Sequence, residues 1–190
     1  MSTTARDKAD VSPRTATKHQ RLFAVLARRF YAGVYNYLRC MSREPGLAED
    51  LTQETFMQVW QHLADMRDPK AARAWVYRIA RNEFLQHRRR TTGDTVAFED
   101  CNLDDRAALE ALSPQLNLER EELQAAVRLA VDRLTDPHRE VIVLHNLEGL
   151  SLRQIAQILN VPVGTVKSRR AKAFQALRDS LGKEVGSDDV

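Results

Sequence analysis

The stretch from Ser151 to Leu177 admits few folds. Ser151 can cap a short helix whose apolar positions Leu152, Ile155, Ala156 and Leu159 share one face. Asn160-Val161-Pro162 then imposes a tight turn, and a longer helix follows with an inward stripe of Val163, Val166, Ala173, Phe174 and Leu177. Helix, short turn, helix is the unit that lays its second helix in a duplex groove. At 100° per residue, Gly164, Thr165, Ser168, Lys172 and Gln175 fall opposite the inward stripe, with Lys167 and Arg169 on the flanks. Small residues near the helix start permit close approach to a groove. Thr165 and the free backbone amides suit a phosphate, and Lys or Arg can take guanine O6 and N7. Arg170 lies nearer the core side, so its stem is expected to pack while its head reaches solvent. An ordinary polar helix face is the alternative, but the cap, the turn and the lack of acids agree on DNA.

Charge is segregated to match. Eight basic residues stand against two acids from Arg67 to Arg90, and six against none from Ser151 to Arg178. Between these blocks, Asp94 to Glu122 carries nine acids against two arginines. Two basic blocks flanking an acidic one fit a polyanion contacted at two separate places, since clustered cations release phosphate counterions on binding. Solvated helix faces would account for either block alone.

Seven glycines and six prolines in 190 residues leave little to break helices, so the fold class is all-α: two small helical domains joined by a flexible acidic linker. Residues 1–18 are polar and aperiodic and read as a flexible extension, with structure beginning near Gln20. Leu22, Leu26, Phe30, Val34 and Leu38 then recur every four residues up to Pro45-Gly46. A second helix runs from about Leu47 to Leu63. A third runs from near Ala71 to Arg88-Arg89-Arg90, closing a first domain at 19–90. Residues 91–118 form the linker, 119–182 the second domain and 183–190 a tail. The second domain opens with a helix marked by Leu123, Val127, Ala130, Val131 and Leu134. Asp136-Pro137 then offers a cap and a first-turn proline for a helix reaching Leu147 and closed by Gly149.

Two surfaces of the first domain carry chemistry. On the third helix, Arg73, Tyr77, Arg81, Phe84 and Arg88 form one stripe opposite Trp75 and Ile79. Guanidiniums that hold a backbone and rings that stack on bases are how an unpaired strand is gripped; Arg78 and Asn82 lie alongside, where an amide can bond a flipped base. Tyr77 and Phe84 as secondary core residues are the competing reading. On the second helix, Asp50, Gln53, Glu54, Met57 and Gln61, bordered by Phe56 and Trp60, compose either a protein-docking face or plain solvent surface.

Other chemistries fit poorly. Cys40 and Cys101 form no framework or CxxC pair, which suits a reducing cytoplasm. The longest stretch free of charged residues, Gln154 to Val166, is too short to span a membrane, and Met1 to Lys18 lacks an apolar signal core. His19, His62, His87, His138 and His145 make no HExxH or ligand cluster, and no phosphate-cradling loop or nucleophile elbow occurs, so neither an enzyme, a metal nor a cofactor is expected. A stand-alone regulator with a sensing first domain remains a rival. It would need an apolar pocket or a self-complementary surface where the basic-aromatic stripe stands.

Leu47-Ala48-Glu49-Asp50-Leu51-Thr52-Gln53-Glu54-Thr55-Phe56, Trp75-Val76-Tyr77-Arg78-Ile79-Ala80-Arg81-Asn82, Glu148-Gly149-Leu150-Ser151 with Ile155-Ala156, and Val161-Pro162-Val163-Gly164-Thr165-Val166-Lys167-Ser168-Arg169 resemble the sigma-70 family. The likeness is to its extracytoplasmic-function branch, which keeps only regions 2 and 4, and it covers Arg21 to Leu181. The resemblance implies a cytoplasmic RNA polymerase sigma factor. Region 2 would bind the beta-prime clamp helices through Asp50, Gln53, Glu54, Phe56 and Trp60, and open the minus-10 element with Arg73, Tyr77, Arg78, Arg81, Phe84 and Arg88. Asn82 would help form a base pocket with the Arg67 to Lys70 loop. Region 4 would bind the beta flap and meet the minus-35 duplex through Thr165, Lys167, Ser168, Arg169 and Lys172. The family also implies an anti-sigma factor as partner. Arg170-Ala171 departs from the pattern, since relatives place bulkier apolar residues there.

Overall fold

The computed structural model describes residues 13–66, 68–92 and 118–185, and among these there are seven α-helices and no strand. Helix α1 (Pro13–Ser42) buries Leu26, Phe30, Val34, Tyr37, Leu38 and Met41, a stripe at spacings of three and four. It starts at Pro13, seven residues before the first expected helical position. Proline suits a helix start because its missing N–H has no acceptor there anyway. Arg43, at φ 61°, breaks the helix, and Pro45 opens α2 (Pro45–Gln61) two residues before Leu47. Thr52 and Thr55 are fully buried on α2; their hydroxyls donate to the carbonyls of Ala48 (2.6 Å) and Leu51 (2.7 Å), so neither carries an unmet polar group inward.

Two 3₁₀ turns, Leu63–Asp65 and Pro69–Ala71, bridge to α3 (Ala72–Thr92), and the Asp68 carboxylate accepts from the Lys70 N–H at the second. On α3 the buried residues are Ala72, Ala74, Val76, Tyr77, Ala80 and Phe84, while Trp75 and Ile79, on the side opposite the basic-aromatic stripe, are half-buried.

The second domain comprises α4 (Leu118–Asp132), α5 (Asp136–Ile142), α6 (Leu152–Leu159) and α7 (Val163–Val185). Thr135, not Asp136, takes the cap position of α5. The helix runs on through a π turn, Val143–Leu147, to Gly149 at φ 61°. Buried Arg139 donates to the carbonyls of Val131, Asp132 and Leu134, closing the C-terminal end of α4. Val166 and Ala173 are fully buried on α7. Phe174, expected inward, is 38% exposed, with the Arg170 guanidinium 5.2 Å over its ring.

The two domains are packed together. Helix α3 lies against α6 and α1 against α5, and one apolar cluster runs from Leu26, Val34 and Val76 through Val141, Leu144 and Leu150 to Ile155 and Val166. The acidic segment 93–117, Arg67, residues 1–12 and 186–190, on which the linker, part of the base-pocket loop, most of the extension and most of the tail were placed, lie outside the described residues. No described helix is long and apolar enough to cross a membrane.

Candidate nucleic-acid interface

The helix-turn-helix is fixed by local chemistry. At α6, Ser151 Oγ accepts from the Gln154 N–H while the Ser151 N–H donates to Gln154 Oε1, a complete capping box. Asn160 ends α6 in the left-handed region at φ 55°, and Pro162 accepts from the N–H groups of Thr165 and Val166. On α7, Gly164, Lys167, Ser168 and Lys172 are exposed, and Thr165 and Arg169 are half-exposed at their edge. These residues sit together on one face, bare of acids. The charge of Arg169 favours the ionised form of the buried Glu140 carboxyl.

The basic-aromatic stripe of α3 is placed differently from the expectation. It faces the second domain. The Arg73 guanidinium donates to the Glu148 carbonyl and the Tyr77 hydroxyl to the Glu148 carboxylate. Arg81 Nε donates to Glu140 Oε1 at 3.0 Å, and Arg88 pairs with Asp136 at 2.6 Å. Tyr77 and Phe84 are 1% and 3% exposed, so in this arrangement both rings are core and neither offers a face to a base. Arg78 and Asn82, on the neighbouring flank of α3, are exposed. The expected minus-10 set therefore divides into the exposed Arg78 and Asn82, four residues that hydrogen-bond to the second domain, Arg73, Tyr77, Arg81 and Arg88, and Phe84, which is buried in the core.

Sequence reasoning passed over the residues that cover them. Tyr37 on α1 donates to Glu140 Oε1 at 2.7 Å, so that oxygen takes two donors from the first domain while Oε2 has no hydrogen-bond partner. Burial pushes the Glu140 and Glu148 carboxyls up. Arg81 and the Tyr37 hydroxyl oppose this at Glu140, and the Tyr77 hydroxyl and Arg73 oppose it at Glu148. Burial, reinforced by these carboxylates, also holds the Tyr37 and Tyr77 hydroxyls well above the ordinary tyrosine value. Gly33 lies where these groups meet; a Cβ there would overlap both the Glu148 carboxylate and the Tyr77 hydroxyl. One signal was present in the sequence: Glu140 and Glu148 share the phase of the apolar Leu144, four residues from each.

On α2, Asp50, Gln53 and Met57 are exposed, Glu54 is half-exposed and Trp60 is 40% exposed. Phe56 is buried. Its ring stacks on Tyr31 at 5.4 Å and meets Phe23 edge-on, and Phe23 in turn meets Trp60 at 5.2 Å, so Phe56 shapes this face from beneath.

The sequence matches the family model of Sigma-70 region 2 over residues 26–93 and that of Sigma-70, region 4 over residues 124–177. It is 36% identical over 142 residues to the ECF RNA polymerase sigma-E factor of Salmonella typhimurium, covering 72% of this chain and 74% of that one. To the RNA polymerase sigma-H factor of Pseudomonas aeruginosa it is 29% identical over 168 residues, covering 85% and 87%. The solved structure of the sigma factor RpoE in complex with the anti-sigma factor NepR from Bartonella quintana superposes with a TM-score of 0.63 at 27% identity, over 87% of this chain and 97% of that one. With both regions present in order on two helical domains, the chain belongs to the extracytoplasmic-function branch of the sigma-70 family and is an RNA polymerase sigma factor, a regulatory protein of promoter recognition and transcription initiation.

Proposed function

We propose that this chain joins core RNA polymerase through the α2 face and the beta flap, and reads a minus-35 element with α7 and a minus-10 element with α3. Asp50, Gln53, Glu54 and Trp60 meet the beta-prime clamp helices, with Phe56 supporting the surface. Lys167, Ser168 and Lys172, with Thr165 and Arg169 at the edge, meet the minus-35 duplex. Asn82 and Arg78 take a base of the opened strand, and Arg73, Tyr77, Arg81, Phe84 and Arg88 engage that strand once the domains part. The functional units are residues 19–90 and 119–182, with 91–118 as their tether. The protein works in the cytoplasm, catalyses nothing itself and is held in check by an anti-sigma factor. The observation that carries this reading is the exposed, acid-free face of α7 behind a fully capped turn.

Run-off transcription with purified core polymerase tests it. The full chain should bind core and initiate from defined start sites whose upstream sequences share two elements. Lys167→Ala and Arg169→Ala should weaken use of the upstream one. A protein that bound duplex DNA but not core polymerase would be a stand-alone regulator instead, and the proposal would fall.

A further inference from the structure

We infer that His19 is a positioning residue for Trp60 in the polymerase-docking face, so that the first turns of α1 belong to the docking apparatus. Both His19 and its neighbour Phe23 stand ahead of residue 26, where the match to region 2 begins. The inference rests on the reading of the α2 face as the surface that meets core polymerase.

Three observations combine. First, His19 touches Trp60 twice. Its Nε2 lies 3.1 Å from the Trp60 carbonyl oxygen, and its ring meets the indole edge-on with centroids 4.8 Å apart. A carbonyl only accepts, so His19 carries a proton on Nε2 and donates it there. Trp60 stands in the last turn of α2, where helix carbonyls have no intrahelical donor, and His19 supplies one from another helix. One imidazole thus holds both the backbone and the side chain of the same residue. Second, the indole is braced again one turn further along α1. Phe23 meets Trp60 edge-on at 5.2 Å and meets the buried Phe56 in turn at 6.4 Å. Third, the braced ring still faces outward. Trp60 is 40% exposed, and Met57 beside it on α2 is exposed as well.

These contacts have a use in docking. A loose indole samples several rotamers and loses them when a partner closes on it, whereas one held between His19 and Phe23 has already lost them in folding. A large ring with few torsions, set in place beforehand, suits the anchor of an interface.

The full chain carrying Trp75→Phe keeps Trp60 as its one tryptophan, so time-resolved fluorescence anisotropy reads how far that indole swings. Affinity for purified core RNA polymerase is measured on the same proteins, with thermal unfolding by circular dichroism as the folding control. His19 is half-exposed, so its replacement should leave the fold intact. His19→Ala removes both contacts and should widen the swing and weaken core binding about two- to tenfold, the cost of ordering one side chain at the interface. His19→Gln keeps an N–H donor near the place of Nε2 and should recover part of both readouts; losses equal to those of His19→Ala would overturn the hydrogen bond as the hold. An unchanged swing in His19→Ala would overturn the inference, and so would a wider swing with unchanged core affinity. Trp60→Ala completes the test. Positioning through Trp60 requires that His19→Ala cost nothing further in the Trp60→Ala protein. A further loss there would show that His19 meets polymerase itself and would overturn its positioning role. Full core affinity of Trp60→Ala alone would instead overturn the docking reading of this ring, and the inference with it.

Discussion

A carboxylate at zero exposure has to be compensated or neutralised, and Glu140 shows both tendencies at once. Desolvation favours its neutral form and outweighs Arg81, Tyr37 and Arg169, which favour the charged one; Glu148 is displaced the same way, against Tyr77 and Arg73. A carboxyl held above its ordinary 4.5 binds its proton more tightly in the folded state. Its contribution to stability is complete below the unfolded value and fades as pH rises through the folded one. Wild type should therefore lose stability relative to Glu140→Gln/Glu148→Gln as pH climbs from 4.5, read as the difference in Tm at each pH. A difference independent of pH would mean that both groups titrate normally. The same burial explains what escaped the sequence at this scale. A ring that stacks on a base and a ring that packs under a neighbouring domain share helical phase, size and arginine company, so Tyr77 and Phe84 carried no mark of which they do. Asn82 and Arg78, one flank away, are exposed.

Among the elements, those whose ends are set by local chemistry matched the sequence most closely. The α6 cap, the Asn160 turn and Pro162 each act within a few residues, so their effect is readable from a short window. Removing the Ser151 hydroxyl leaves the Gln154 N–H without its acceptor, and Ser151→Ala should cost about 1 kcal/mol in denaturant unfolding. Asn160→Gly should be nearly neutral, since glycine enters the left-handed region freely; a β-branched Asn160→Val should cost at least about 1 kcal/mol. Equal losses at both Asn160 variants would show that the side-chain amide, not the backbone, holds the turn. On α2 the exposed acids contribute little to folding, so Asp50→Lys should leave the unfolding midpoint unchanged within about 0.5 kcal/mol while weakening assembly with core polymerase. Equal core affinity would remove Asp50 from the docking face. Less legible were Phe174, whose helical phase sits at the margin of the inward stripe and whose partner is Arg170, and the start of α1, where polar residues extend a helix that its later turns already nucleate.

For the whole molecule, charge segregation and the gap in periodicity exposed two helical units, but not that they would share a core. Their union depends on contacts between residues 48 to 103 positions apart, such as Arg88 with Asp136 and Tyr37 with Glu140, and no window of sequence registers those. The shared core has a thermodynamic consequence. Because Leu26, Val34 and Val76 belong to the same apolar cluster as Val141, Leu150 and Ile155, unfolding either domain strips cover from the other, and the two should melt as one cooperative unit. Differential scanning calorimetry of the free wild-type chain should give a single transition whose calorimetric and van't Hoff enthalpies agree. Gly33→Ala crowds the Glu148 carboxylate and the Tyr77 hydroxyl where the two domains meet, so it should loosen the seam and divide that transition into two while leaving the helical content at low temperature unchanged. Adding Ser151→Ala to it should then lower the transition of the second domain alone, because the cap acts within α6 and, once the seam is loose, its loss no longer reaches α1 through the common core. Two transitions in the wild type would mean that each domain is stable without the other, and a single one in Gly33→Ala that the apolar seam holds without its buried acids.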